Sequence, residues 1–164
     1  MNSAAVKSFI NGDIADVVIY PLKRFYDDRG WLSELFRTDE LDEKFRPEMA
    51  YISFTKPGVA RGPHEHAEQA DLFCFIGPSN FRIRLWDDRE DSPTYRNFMD
   101  IEAGEESPKA VVIPCGIVHG YKNIGDVDGM VLNCPNRLYM GEKKAEPIDE
   151  IRHEDDRDTE FTMD

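Results

Sequence analysis

Residues 58–77 read Gly58-Val-Ala-Arg61-Gly62-Pro-His64-Glu65-His66-Ala-Glu-Gln-Ala-Asp71-Leu-Phe-Cys-Phe-Ile-Gly77. Positions i and i+2 of a strand point to one face, so His64 and His66 are expected to enter the same interior. A second segment, Pro114-Cys-Gly116-Ile-Val-His119-Gly-Tyr-Lys-Asn123, brings a third histidine from another strand. Asp71, after a turn, completes a set of three imidazoles and one carboxylate. Such an open, mixed set suits Zn²⁺, Fe²⁺, Mn²⁺ or Ni²⁺ without choosing among them. The competing reading is a group of satisfied polar residues inside a barrel that holds no ion.

Around these segments the chain reads as short strands divided by Gly, Pro, Asp and Asn. Val17–Tyr20, Trp31–Phe36, Met49–Phe54, Leu72–Ile76, Phe81–Trp86, Ala110–Ile113 and Met130–Leu132 are rich in β-branched and aromatic residues. Phe81-Arg82-Ile83-Arg84-Leu85 alternates most clearly. Its two arginines face either a polar lumen, solvent or a dimer contact. Only Asp39–Phe45 reads as a short helix. Many strands with almost no helix predict an all-β sandwich or barrel. Residues 1–15 are expected as an N-terminal arm, 16–140 as the barrel, and 141–164 as an acidic tail. That tail holds 10 acids and 4 bases, a composition expected of a solvated or frayed end that carries His153 on its surface.

The chain has 164 residues and a formal net charge of −13, which argues against nucleic acid as a partner. No apolar run approaches the roughly 20 residues of a membrane span, and Met1–Ile10 has no signal-peptide core. Three cysteines without CxxC spacing are expected as buried thiols in a reducing compartment. The expectation is a cytoplasmic single domain with no membrane partner.

The two histidine segments resemble the paired motifs of the cupin superfamily, small double-stranded β-helix (jelly-roll) barrels. The first is matched with Asp71 in place of the usual Glu and one residue fewer before Gly77; the second is matched at every fixed position. A closer resemblance runs from about residue 20 to about residue 140. Phe25-Tyr-Asp27-Asp-Arg29-Gly30-Trp-Leu-Ser-Glu34, Gly58-Val-Ala-Arg61-Gly62-Pro-His64, Asp87-Asp-Arg89-Glu-Asp-Ser92-Pro-Thr-Tyr95 and His119-Gly-Tyr121 are similar to four ordered blocks of the dTDP-4-dehydrorhamnose 3,5-epimerases. The resemblance implies a nucleotide-sugar substrate, His64 as the base that takes protons beside a 4-keto group, and no organic cofactor. It implies Arg29 and Arg61 at the diphosphate, Glu34 near the nucleobase, and a homodimer. Tyr121 and Tyr139 are candidates for either the pocket wall or the core. The Asp87–Tyr95 block reads equally as a structural turn with an internal ion pair.

The departures carry information as well. Asp71 stands where the family has a lysine, and Asn133 where it has a tyrosine acid. Nothing after Ile151 resembles the family segment whose aspartate orients the base. These changes place His64, Asp71, His119 and Asn133 at the expected chemistry, with His64, His66, Asp71 and His119 as candidate metal ligands. Three functions follow as expectations: an epimerase or isomerase of 4-keto-6-deoxy nucleotide sugars; a metal-dependent isomerase or oxygenase of another small polar substrate; or a silent sugar-nucleotide-binding module.

Overall fold

The computed structural model describes residues 8–164. In chain order its strands are β1 (Ile10–Asn11), β2 (Val18–Pro21), β3 (Phe25–Asp27), β4 (Gly30–Leu32), β5 (Tyr51–Thr55), β6 (Ala60–Glu65), β7 (Asp71–Phe75), β8 (Asn80–Asp87), β9 (Asn97–Gly104), β10 (Lys109–Ile113), β11 (Ile117–Asn123), β12 (Gly129–Asn133) and β13 (Ile151–Arg152). One sheet runs β1-β9-β8-β11-β6-β13 and the other β2-β10-β7-β12-β5, while β3 and β4 form a separate hairpin. All pairings are antiparallel except β1 with β9. This is the predicted jelly-roll. Among the described residues no helix is long and apolar enough to cross a membrane.

Alternation explains the layers. Within β7, Phe73 and Phe75 turn inward to Phe81, Ile83, Leu85, Val111, Ile113 and Tyr121. Leu72 and Cys74 turn outward, where Leu35, Phe36, Leu41 and Phe45 cover them. β7 is therefore buried on both faces, and its sequence is almost continuously apolar. In β8 the inward set is Phe81, Ile83 and Leu85, leaving Arg82 and Arg84 on the outer face.

Three expectations are corrected. The region 39–45 forms only a turn and a short 3₁₀ segment, Glu43–Phe45, because extended Arg46 precedes Pro47 and the segment serves to lay Leu41 and Phe45 on the sheet. Cys74 and Cys134 are buried as expected, whereas Cys115 is exposed at the Pro114–Gly116 turn. The third correction concerns the acidic end, which is largely solvated as expected but is not frayed: it is anchored to the fold. β13 pairs with β6, and Phe161 and Met163 are buried against Trp86 and Val118. The Glu160 carboxylate accepts from both terminal nitrogens of Arg96 at 2.7 and 2.6 Å. Arg84 donates to the carbonyls of Thr162 and Asp164, and Arg82 to that of Met163. The outward arginines of β8 thus hold the strand end by its carbonyls, Arg96 and Lys122 pair with its Glu160 and Asp164, and two apolar residues at i, i+2 anchor it. His153 is accordingly half-buried, its Nε2 2.8 Å from Glu65 Oε1. At the other end, the described part of the N-terminal arm adds β1 to the sheet edge; residues 1–7 lie outside the described chain.

Candidate active site

β6 and β11 run side by side with His64 opposite His119 in register. Their close approach depends on Gly62: its φ is +80°, and a Cβ there would stand 2.7 Å from the His119 carbonyl oxygen. His66 follows β6 and is fixed by Gly116 N–H donating to its carbonyl at 2.8 Å. Asp71 opens β7 on the opposite sheet and points inward, fully buried. The four predicted side chains meet: one ligand atom from each of His64, His66, Asp71 and His119 lies within 4.8 Å of the others.

Hydrogen bonds fix the orientation of the cluster. His119 Nδ1 lies 2.9 Å from the Ile117 carbonyl, and His66 Nδ1 is on the Asp149 carbonyl. A carbonyl only accepts, so both Nδ1 atoms carry protons and both Nε2 atoms are the variable ones. Each Nε2 is 3.2 Å from the same oxygen, Asp71 Oδ2. Gln69 and Asn133 each donate to the other oxygen, Oδ1, at 2.9 Å. Two imidazole lone pairs and a carboxylate oxygen cannot converge without a proton or a cation between them. With protons alone, burial opposes charge on His66, yet Asp71 and the Asp149 carbonyl raise it to about 9. Burial likewise opposes the Asp71 carboxylate, but the His119 and His66 imidazoles beside it hold it well below the usual carboxylate range.

His64 differs. Among the described residues its ring makes no hydrogen bond, and burial, reinforced by His119 and His66, pushes it down to about 2. It is a neutral imidazole facing an open cavity of about 1060 Å³.

Arg61, Tyr121 and Tyr139 line that cavity with His64 and His66. Arg61 is held to the rim by Nε donating to Thr55 Oγ1 (2.9 Å) and Nη2 to the Phe54 carbonyl (2.8 Å). The Tyr121 hydroxyl lies 2.9 Å from that of Ser53, while its ring packs in the core, so both sequence readings of this residue apply. Asn133 lies beneath, on Asp71. The structure does not bring Arg29 or Glu34 to the cavity. Arg29 sits at the tip of the β3–β4 hairpin, 86% exposed and paired with Asp27, and Glu34 lines a separate cleft of about 480 Å³. The Asp87 block is structural: Asp87 is buried and accepts from Arg89 Nε (2.8 Å), Ser92 Oγ (2.6 Å) and Thr94 Oγ1 (2.6 Å).

Sequence reasoning missed Tyr51, Gln69 and Asp149. Tyr51 and Ser53 share a face of β5 by simple alternation, the one signal that could have drawn Tyr51 out. The Asp149 carboxylate accepts the amides of Ala67, Glu68 and Gln69 at 2.9–3.0 Å, and this long-range contact leaves no local pattern.

A family model described as dTDP-4-dehydrorhamnose 3,5-epimerase matches residues 11–156. The chain belongs to the dTDP-4-dehydrorhamnose 3,5-epimerase family. Within that family it is 38% identical to a probable low-salt glycan biosynthesis epimerase of Haloferax volcanii, over 77% of this chain and 81% of that protein. It is 30% identical to the dTDP-4-dehydrorhamnose 3,5-epimerase of Shigella flexneri, over 71% and 68% of the two chains. The fold is similar to that of a dTDP sugar isomerase from Desulfovibrio desulfuricans, with a TM-score of 0.74 at 19% identity over 85% of this chain and 84% of that one. Asp71 and Asn133, the two positions expected from the sequence to differ from the family pattern, are in direct contact at 2.9 Å.

Proposed function

We propose that the protein is an epimerase of a 4-keto-6-deoxy sugar carried on a nucleoside diphosphate, with His64 as the base. The observation that carries the reading is a neutral, unbonded imidazole facing a cavity large enough for such a ligand, in a chain of this family. A 4-ketone acidifies the hydrogens on C3 and C5. His64 removes one, and reprotonation of the carbon on the opposite face inverts the centre. Arg61 on the rim is suited to the diphosphate. Incubation with dTDP-4-keto-6-deoxyglucose, followed by NMR, is expected to yield a C3 or C5 epimer; unchanged sugar would refute the assignment.

A specific observation adds a metal. Imidazoles whose Nδ1–H groups are anchored on backbone carbonyls, with Nε2 atoms converging on one carboxylate oxygen, are arranged as metal ligands usually are. Asp71 Oδ2 and His119 Nε2 are also buried without a hydrogen-bond partner. His66, Asp71 and His119 would hold a divalent cation, leaving His64 free as the base. The cation would serve as a Lewis acid for the enolate oxygen. Elemental mass spectrometry of tag-free protein is expected to find near-stoichiometric metal, absent from His66→Ala; none in the parent would refute it.

A homodimer accords with the apolar surface of Phe25, Tyr26, Trp31 and Leu32 on the hairpin and Ile52 and Phe54 on β5. Unpaired thiols accord with a cytoplasmic setting.

A further inference from the structure

Inversion at a carbon beside a ketone needs two groups on opposite sides of the substrate. One takes a proton from the first face; the other gives one to the second. His64 occupies β6 of the six-stranded sheet, and the facing sheet supplies the wall of the cavity across from it. On that wall, β5 and β12 pair with Tyr51 directly opposite Asn133, and Tyr51 lines the cavity.

The hydrogen bonds at Asn133 determine what Tyr51 can do. Its Nδ2 donates to Asp71 Oδ1 and to the Tyr51 hydroxyl oxygen, both at 2.9 Å. Turning the amide over would face its oxygen to the Asp71 carboxylate, acceptor against acceptor, so this orientation is imposed. Tyr51 oxygen therefore accepts, and its own proton finds no acceptor among the described residues. That proton is free to point into the cavity. Tyr121 also has a hydroxyl on this space, but Ser53 Oγ at 2.9 Å offers its proton an acceptor, which Tyr51 lacks among the described residues. The Tyr139 hydroxyl, on the exposed rim, is held by nothing described.

We infer that Tyr51 is the catalytic proton donor, delivering its phenolic proton to the enolate carbon on the face opposite His64. The inference rests on the epimerase reading. After His64 has taken the C–H proton, the electron pair of that bond forms the enolate C=C and the carbonyl pair moves onto oxygen. In the second step the C=C pair captures the Tyr51 proton as a new C–H bond, and the oxygen pair restores the C=O. The O–H pair remains on Tyr51 as phenolate, which the Asn133 N–H is placed to stabilise. Water then returns a proton to Tyr51 and receives one from His64. A phenol here does, from the neighbouring strand, the work that Asn133 cannot.

The test is dTDP-4-keto-6-deoxyglucose in D₂O with wild type, Tyr51→Phe and Tyr139→Phe, each checked for an unchanged melting temperature. The readouts are deuterium at C3 and C5 and the configuration of each centre. Wild type is expected to exchange and invert. Tyr51→Phe is expected to keep exchange within about threefold while inversion falls at least 100-fold, because protons then return only from the His64 side. Tyr51→Phe inverting like wild type, or Tyr139→Phe alone losing inversion, would overturn the assignment of the donor while leaving the epimerase reading intact. A wild type that neither exchanges nor inverts would overturn both.

Discussion

The two histidines that flank Glu65 have opposite electrostatic fates, and the pH response of the metal-free protein should display both. Folded His66 titrates near 9, above its ordinary 6.5, so its stabilisation is complete below about pH 6.5 and is lost as pH rises through 9. Folded His64 stays neutral to about pH 2 while the unfolded chain protonates near 6.5, so stability falls as the solution is acidified below that point. Each limb has a maximal slope of about 1.4 kcal/mol per pH unit. Urea unfolding across pH 5–10 is expected to show a maximum near neutrality, with His66→Gln flattening the alkaline limb and His64→Gln the acid one. Unchanged limbs in both variants would contradict these assignments. Arg61 bears on binding rather than stability. By calorimetry Arg61→Ala is expected to weaken dTDP affinity at least tenfold, and Arg82→Ala, on the outer face, to leave it unaltered. Equal losses would remove Arg61 from the diphosphate site.

At the scale of elements, β13 and the strand end after it hold the site as well as the fold. Asp149, just before β13, closes the loop after His66, and Phe161 packs edge-on to Trp86 with ring centroids 5.6 Å apart. Truncating this ring leaves a cavity, so Phe161→Ala is expected to cost about 3 kcal/mol in denaturant unfolding. A loss under 0.5 kcal/mol would mean that the segment is merely laid on the surface. These particular residues also show what the sequence could and could not disclose. The strand pattern, the inward HxH pair and the meeting of His119 with Asp71 were legible, because alternation and motif spacing are local. The anchoring of the acidic end escaped the sequence since composition hides two well-placed apolar residues, and since the arginines that receive it lie roughly 80 positions away. Tyr51 escaped for the same reason: its meaning lies in its cross-strand partner.

For the whole molecule, two sheets facing one another set His64, the proposed base, on one wall and the Asp71 carboxylate, Asn133 and Tyr51 on the other. The hairpin carrying Arg29 projects away from this space and exposes Trp31 and Leu32. Light scattering is expected to give twice the 18.9 kDa chain mass, and Leu32→Glu the single-chain mass; a monomeric parent would contradict the dimer. Neighbouring charge suits an anionic substrate only locally, since the protein as a whole carries −13 and Arg61 must focus a positive field at the rim. The proposed reaction turns on proton removal beside a ketone by His64. The most direct measurement is deuterium wash-in from D₂O at C3 and C5 of dTDP-4-keto-6-deoxyglucose, by wild type and by His64→Gln. Incorporation by wild type that falls at least 1000-fold in His64→Gln is the predicted result; equal incorporation by both, or none by wild type, would contradict it.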